Sequence, residues 1–192
     1  MSTTKLTHNF EEALIYSFRL HASQERKVTH VPYVSHLMAV AALVLEDGGD
    51  EDQAIAALLH DAVEDQGGIP VLEAIRVRFG DRVADIVDGC TDSYTVPKLP
   101  WRERKISYIE KLRFETGDIR RVSLADKVHN ARMIVSSLLQ KGDTIWASFN
   151  GGRDGTLWYY SELLKVFQQT GNGFLTDELE RWVVQMRNLA DL

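Results

Sequence analysis

The sequence predicts an all-α fold, a single domain of about eight to ten helices, on three observations. Apolar residues recur at three- and four-residue spacing along most of the chain. Glycines and prolines divide it into pieces of helix length. No stretch alternates apolar and polar residues in the way a half-buried strand requires. With 192 residues, 44% of them apolar, the chain can bury one core without disulfides, and its one cysteine, Cys90, can form none within the chain.

The elements follow in order. Thr7 or Asn9 can cap a helix over residues 10–22, with Leu14, Ile15, Phe18 and Leu20 among its apolar positions. Thr29 to Pro32 breaks it. A largely apolar helix over 34–46 closes at Asp47-Gly48-Gly49, and Asp50 caps a third over 51–66 that closes at Gly67-Gly68. Pro70 stands near the start of a fourth helix running to Phe79, and a fifth spans about 82–90. Thr91 to Pro100 is a loop with two prolines. Helices over 101–114 and 119–140 follow, and glycine-bearing breaks at 141–144 and 150–155 precede helices over 156–169 and 176–187. The motif-bearing core is expected at about residues 10–140, with the C-terminal helices (about 156–190) packing on it as part of one domain over 1–192.

Charge excludes some partners. Asp and Glu total 28 against 22 Lys and Arg, a net charge of −6, so binding nucleic acid through a broad basic face is not expected. The stretch from Met1 to Phe10 has no apolar signal-peptide core, and the uncharged run from Val28 to Leu45 contains Pro32 and two histidines, which argues against a membrane span. A soluble cytoplasmic protein follows; this pattern allows a homo-oligomer without requiring one.

Function is indicated where ionisable groups interrupt apolar helix faces. The run Ala54 to Leu59 is apolar nearly all round, and His60-Asp61 follows at once. His60 and Glu64 are four apart, as are Asp61 and Asp65, so four ionisable groups crowd about half of the helix surface. Buried carboxylates are normally paired or bound to metal. His36 interrupts a second apolar helix and Asp126 a third, with Asn130 one turn after Asp126. Together His36, His60, Asp61 and Asp126 offer two nitrogen and two oxygen ligands. That set suits one Mn²⁺, Fe²⁺ or Zn²⁺ ion better than Ca²⁺.

Three blocks carry a family resemblance: His21-x-x-Gln24-x-Arg26-Lys27 through Pro32-Tyr33-x-x-His36; Ala57-Leu58-Leu59-His60-Asp61-x-x-Glu64-Asp65; and Leu124-Ala125-Asp126-Lys127-x-x-Asn130. They resemble the HD superfamily of metal-dependent phosphohydrolases and, within it, the hydrolase domain of the RelA/SpoT homologues and the small alarmone hydrolases. The resemblance implies that His36, His60, Asp61 and Asp126 hold one metal, usually Mn²⁺, and that Glu64 and Asp65 are the catalytic acidic pair. It implies that Arg26 and Lys27 form part of a nucleotide pocket, Arg26 packing on the purine, that Asn130 contacts the ribose region, and that Trp158-Tyr159-Tyr160 closes the pocket, with Tyr159 as the expected contact and Tyr160 left open as the alternative. The implied activity is removal of pyrophosphate from the 3′ position of a guanosine alarmone such as ppGpp. Met133 departs from the family, which often has Thr there; a lost hydroxyl would alter base recognition and leave the metal chemistry untouched.

Two other readings remain open at the level of sequence. The site could act on an adenosine alarmone, NADPH or another phosphorylated nucleotide, or the domain could sense a nucleotide without turnover. Retention of both Glu64 and Asp65 argues against the last. Arg102, Arg104 and Lys105 would either guide a polyphosphate or pair with Glu103 and Glu110. Of the four tryptophans, only Trp158 is expected near the functional segment; Trp101, Trp146 and Trp182 read as core or interface residues.

Overall fold

The computed structural model describes residues 4–94, 97, 99–171 and 173–190. Thr95, Val96 and Lys98 of the expected central loop and the first three residues of the N-terminal stretch lie outside them. Among the described residues are ten α-helices and one 3₁₀ helix: α1 (His8–Leu20), α2 (Val34–Glu46), α3 (Glu51–Leu59), α4 (Ala62–Gln66), α5 (Ile69–Phe79), α6 (Asp81–Cys90), α7 (Trp101–Phe114), α8 (Gly117–Lys141), the 3₁₀ helix Gly142–Ser148, α9 (Gly152–Thr170) and α10 (Phe174–Ala190). No strand occurs there; one isolated antiparallel bridge joins Glu25 to Pro32. None of the helices is long and apolar enough to cross a membrane.

Local chemistry sets the helix ends. Thr7, not Asn9, caps α1: its hydroxyl accepts from the Asn9 amide at 3.2 Å. Asp50 and Gln53 form a capping box at the start of α3, each side chain accepting from the other's amide at 3.0 Å. Gly68, at φ 64, supplies the left-handed turn between α4 and α5.

The 25-residue α8 is the organising element. It packs against α2, α3 and α6, while α10 lies along it and against α9. Leu37, Leu58, Leu59, Leu163, Phe167, Leu179 and Met186 are fully buried between these layers. Removing such a side chain costs about 2–5 kcal/mol. The helices α6 and α8 approach closely at Gly89, where a Cβ would lie 2.5 Å from Ile119.

The third expected helix is interrupted. The helix α3 ends at Leu59, and α4 begins at Ala62. His60 Nδ1 lies 2.7 Å from the Ala57 carbonyl, the acceptor that the Asp61 amide would use in an unbroken helix. The bend is slight: His60 and Asp61 keep right-handed dihedrals, and the Asp65 amide still bonds the Asp61 carbonyl at 3.0 Å. The bend turns the end of a buried helix into a ledge that presents four ionisable side chains.

Candidate metal centre and nucleotide pocket

Four side chains from three segments approach one another; His36, His60 and Asp126 form the tight group, and Asp61 reaches both imidazoles without belonging to it. The two imidazoles come from α2 and the α3–α4 bend, and the carboxylates from that bend and the middle of α8. His36 Nε2 lies 3.5 Å from Asp61 Oδ2 and 3.2 Å from Asp126 Oδ1. His60 Nε2 lies 3.0 and 3.6 Å from the same two oxygens. The ligating atoms of His36, His60 and Asp126 all fall within 4.8 Å of one another.

The arrangement fits a divalent cation better than a hydrogen-bonded core. Both Nε2 atoms are buried, and neither makes a hydrogen bond despite the close oxygens. A buried polar atom left without a partner costs about 1–3 kcal/mol, and a divalent cation between the two nitrogens and the carboxylates would satisfy all of them at once. The outer contacts prepare both nitrogens as ligands. His60 donates Nδ1–H to the Ala57 carbonyl, which turns Nε2 toward the carboxylates. Burial opposes its charging, but Asp61 and then Asp126 raise its pKa well above the ordinary histidine value, so a cation bound there would displace a proton. His36 Nδ1 is 2.7 Å from His129 Nδ1. Burial, then the neighbouring His36, pushes the His129 pKa down to about 3. Neutral His129 can therefore accept at Nδ1 from His36 Nδ1–H, freeing His36 Nε2 in turn.

The carboxylates are held ionised. Burial alone would raise the Asp126 pKa, but Lys127, 2.5 Å from Oδ2, and the two histidines hold it well below the ordinary value. Asn130 also donates to Asp126 Oδ1. Burial likewise opposes ionisation of Asp61, and His60 and His36 override it; the Tyr33 hydroxyl donates to Asp61 Oδ2 at 2.5 Å. The pair Asp126–Lys127 is thus a buried ion pair facing the pocket.

A pocket of about 470 Å³ opens beside this centre. His60, Asp61 and Asp126 line it; His36 lies behind them, fully buried. Glu64 and Asp65 line its wall from α4. Gln24 Nε2 donates to Asp65 Oδ2 at 2.7 Å, and Gln24 Oε1 is held by Gln66 Nε2 at 2.5 Å and lies 2.7 Å from His21 Nδ1. Desolvation by the pocket walls, then the charge of Asp61, raises the Asp65 pKa above the ordinary aspartate value.

Arg26, Lys27, Asn130 and Tyr159 line the pocket too. The Arg26 guanidinium donates to Asn130 Oδ1 and lies 5.5 Å from the centroid of the Tyr33 ring. Tyr159 Oη is buried without a hydrogen-bond partner, and Tyr160 lines the pocket beside it. Met133 takes its place on the wall one turn after Asn130.

Three features differ from the sequence expectation. Of the two alternatives for Arg104 and Lys105, pairing with Glu103 and Glu110 is absent among the described ion pairs: both pair with Asp92 Oδ2, at 2.5 and 2.7 Å, and both line the pocket, the place from which they could guide a polyphosphate. Trp101 lines the pocket and Trp158 does not. Trp101 seats against α9, where a Cβ on Gly151 would lie 2.6 Å from its ring and one on Gly155 at 3.1 Å. Arg102 stacks on Trp158 instead, 3.8 Å from the ring centroid. Sequence reasoning also assigned no role to Tyr33, Gln24 and Lys127, although all three stand inside the matched blocks.

The Asp92 cluster carries a stability prediction. Burial would raise the Asp92 pKa, but the charges of Lys105 and Arg104 lower it. A depressed aspartate stabilises the fold above its ordinary pKa near 4 and loses that contribution as pH falls through its folded value. Asp92→Asn should cost about 1–3 kcal/mol at pH 7, less than a fully buried pair because both cations keep some solvent contact. Urea titrations should show the gap between variant and parent closing below about pH 4.

Comparison with known proteins places this geometry in context. Residues 13–157 match the family model described as HD domain. The guanosine-3′,5′-bis(diphosphate) 3′-pyrophosphohydrolase MESH1 of Xenopus tropicalis is 38% identical over 124 residues, and its Homo sapiens counterpart 36%; each match covers 63% of this chain and 66% of the relative. The pyrophosphohydrolase of Aquifex aeolicus is 34% identical over 127 residues, 65% of this chain but 17% of that longer protein. The matched segment thus spans just under two thirds of the MESH1 relatives. A solved structure described as a metazoan ortholog of SpoT that hydrolyzes ppGpp superposes with a TM-score of 0.78 at 27% identity, covering 97% of this chain and 99% of that one.

Proposed function

The chain belongs to the HD-domain family, and from that premise we propose that it is a phosphohydrolase that removes pyrophosphate from the 3′ position of ppGpp or pppGpp, leaving GDP or GTP. One observation carries the reading: two buried, partnerless imidazole nitrogens converge with two aspartate oxygens beside a pocket that also holds an acidic pair. The 36–38% identity to proteins named as ppGpp 3′-pyrophosphohydrolases supports it.

In this reading His36, His60, Asp61 and Asp126 hold one divalent ion, assigned as Mn²⁺. Such an ion, when bound, polarises a phosphoryl oxygen and lowers the pKa of water at the site. Water attacks the phosphorus attached to the ribose 3′ oxygen; the new bond forms as the bond to that oxygen breaks. Glu64 accepts the proton that the water gives up. Asp65, whose proton affinity is raised, donates a proton to the departing 3′ oxygen. Gln24 keeps the Asp65 carboxyl aimed into the pocket.

Arg26 offers a flat cation to the purine, and Asn130 ties it to Asp126, so nucleotide position and the metal centre share one hydrogen-bonded chain. Lys27 contributes charge for a phosphate, and Tyr159 contributes its unsatisfied hydroxyl to the nucleotide. We assign the protein to the cytoplasm and treat the helices of residues 10–140 and 156–190 as one functional unit.

The test is pyrophosphate release from ppGpp by Mn²⁺-loaded protein. Release is expected. Silence with Mn²⁺, Fe²⁺ and Zn²⁺ alike overturns the reading. Met133 on the pocket wall favours a second substrate, the adenosine counterpart, because it removes a hydroxyl that could select one purine. A competition between guanine and adenine nucleotides decides between them.

A further inference from the structure

The helix α8 gives the pocket a direction. Asp126, Asn130, Met133, Ile134 and Ser137 all line it and follow one another along one stripe of that helix. Ser137 lies eleven residues beyond Asp126, about 16 Å along the axis. A nucleotide with its 3′ group at the metal centre and its length along this stripe would lay its base toward the C-terminal part of α8, over the apolar side chains of Met133 and Ile134.

A built hairpin faces that end. The Arg26 amide donates to the Val31 carbonyl at 2.9 Å, the His30 amide to the Arg26 carbonyl at 2.9 Å, and the Tyr33 amide to the Gln24 carbonyl at 2.8 Å. The turn requires His30 to adopt φ 57, a left-handed conformation uncommon for a residue other than glycine. Lys141, at the end of α8, donates to the Val28 carbonyl at 2.7 Å and fixes the hairpin tip to the far end of the pocket. The tip presents Thr29, which lines the pocket; its Oγ1 is buried and has no hydrogen-bond partner. A clamped turn with a left-handed residue, on a pocket wall and with a buried hydroxyl that has no partner, is costly for the fold alone.

We propose that Thr29 is the residue that hydrogen-bonds the edge of the substrate's base, and that the Lys141 clamp on Val28 positions it. The proposal rests on the nucleotide reading given above. It adds a base contact from the hairpin tip, separate from the Arg26 and Lys27 side chains. A hydroxyl can donate to a ring carbonyl or accept from a ring amino group, so it suits a purine edge.

The two reaction products separate the ends of the pocket. Calorimetric titration of Mn²⁺-loaded protein with GDP probes the base end, and titration with pyrophosphate probes the metal end. Thr29→Val should weaken GDP about three- to tenfold, the share of one neutral hydrogen bond, and leave pyrophosphate unchanged. Thr29→Ser, which keeps the hydroxyl, should stay within about twofold of the parent for both. Lys141→Met should weaken GDP in the same direction. Unchanged GDP affinity in Thr29→Val overturns the proposal, as does equal weakening of both ligands, which would mark a general disturbance of the hairpin. Thr29-dependent GDP binding without pyrophosphate release from ppGpp would overturn the proposed reaction and leave the base contact standing.

Discussion

Replacing Asp126 with alanine is expected to abolish divalent-metal retention and to lower kcat/KM for ppGpp by about a thousandfold or more. The estimate follows from losing several kcal/mol of charge stabilisation at the phosphoryl group, at tenfold for each 1.4 kcal/mol or so. Asp126 Oδ1 faces both orphaned imidazole nitrogens, at 3.2 and 3.6 Å, so its loss removes one donor and half of the negative charge near them. The same substitution strands Lys127, whose ammonium is 2.5 Å from Asp126 Oδ2. Leaving a buried cation unpaired destabilises a fold by about 3–5 kcal/mol, so a stability loss accompanies the metal loss. Asp61→Ala separates the two effects, because Asp61 pairs with no lysine or arginine among the described residues and its hydrogen-bond partner Tyr33 is neutral. Metal analysis of both variants, with urea titration beside it, reads the outcome. A full equivalent of metal retained by both, with turnover within tenfold of the parent, would show that the donor set is wrong.

Much of this centre was legible because its chemistry is written locally. His36, His60-Asp61 and Asp126 each interrupt an apolar helical run, and the cost of burying such groups marks them before any neighbour is known. Helix ends were legible for the same reason: the Asp50 cap and Gly67-Gly68 act within a few residues of themselves, although the reciprocal contact of Gln53 was not read. What was hidden depends on distant pairing. The seating of Trp101 on Gly151 and Gly155 joins α7 to α9, and neither segment alone tells an interface tryptophan from a pocket wall. Arg104 and Lys105 meet Asp92 across the loop, while the sequence offered Glu103 and Glu110 at closer range. The bend at His60 has a partly local cause, a side chain competing for the Ala57 carbonyl, but a histidine does this only when something fixes its ring. Here the Asp61 and Asp126 carboxylates, 3.0 and 3.6 Å from Nε2, supply that constraint. The role of Thr29 has no pattern of its own either; it appears only when Lys141, over a hundred residues on, pins the hairpin beside α8.

Glu64→Gln and Asp65→Asn should leave metal content at the parent level while each lowers kcat by about 10²–10⁴-fold, the usual share of a positioned acid or base. The contrast with Asp126→Ala follows from placement: Glu64 and Asp65 sit on α4, while the proposed donors lie on α2, the α3–α4 bend and α8. Both substitutions preserve shape. In Asp65→Asn the amide oxygen can still accept from Gln24 Nε2, so the chain Gln24–Gln66 survives and only proton transfer is lost. The sign of the pH effect is fixed by the proposed role. Asp65 acts as the protonated donor, and its pKa lies above the ordinary aspartate value, so kcat in the parent should fall as pH rises through that pKa. Asp65→Asn cannot titrate there and should lose that descending limb. Because the two carboxyls serve one reaction cycle, the double variant should fall by less than the product of the single effects. Either single variant turning over within threefold of the parent would remove that residue from proton transfer. A double variant matching the full product would mean that the two act in separate steps. Neither result would disturb the metal centre, which the alanine variants test on their own.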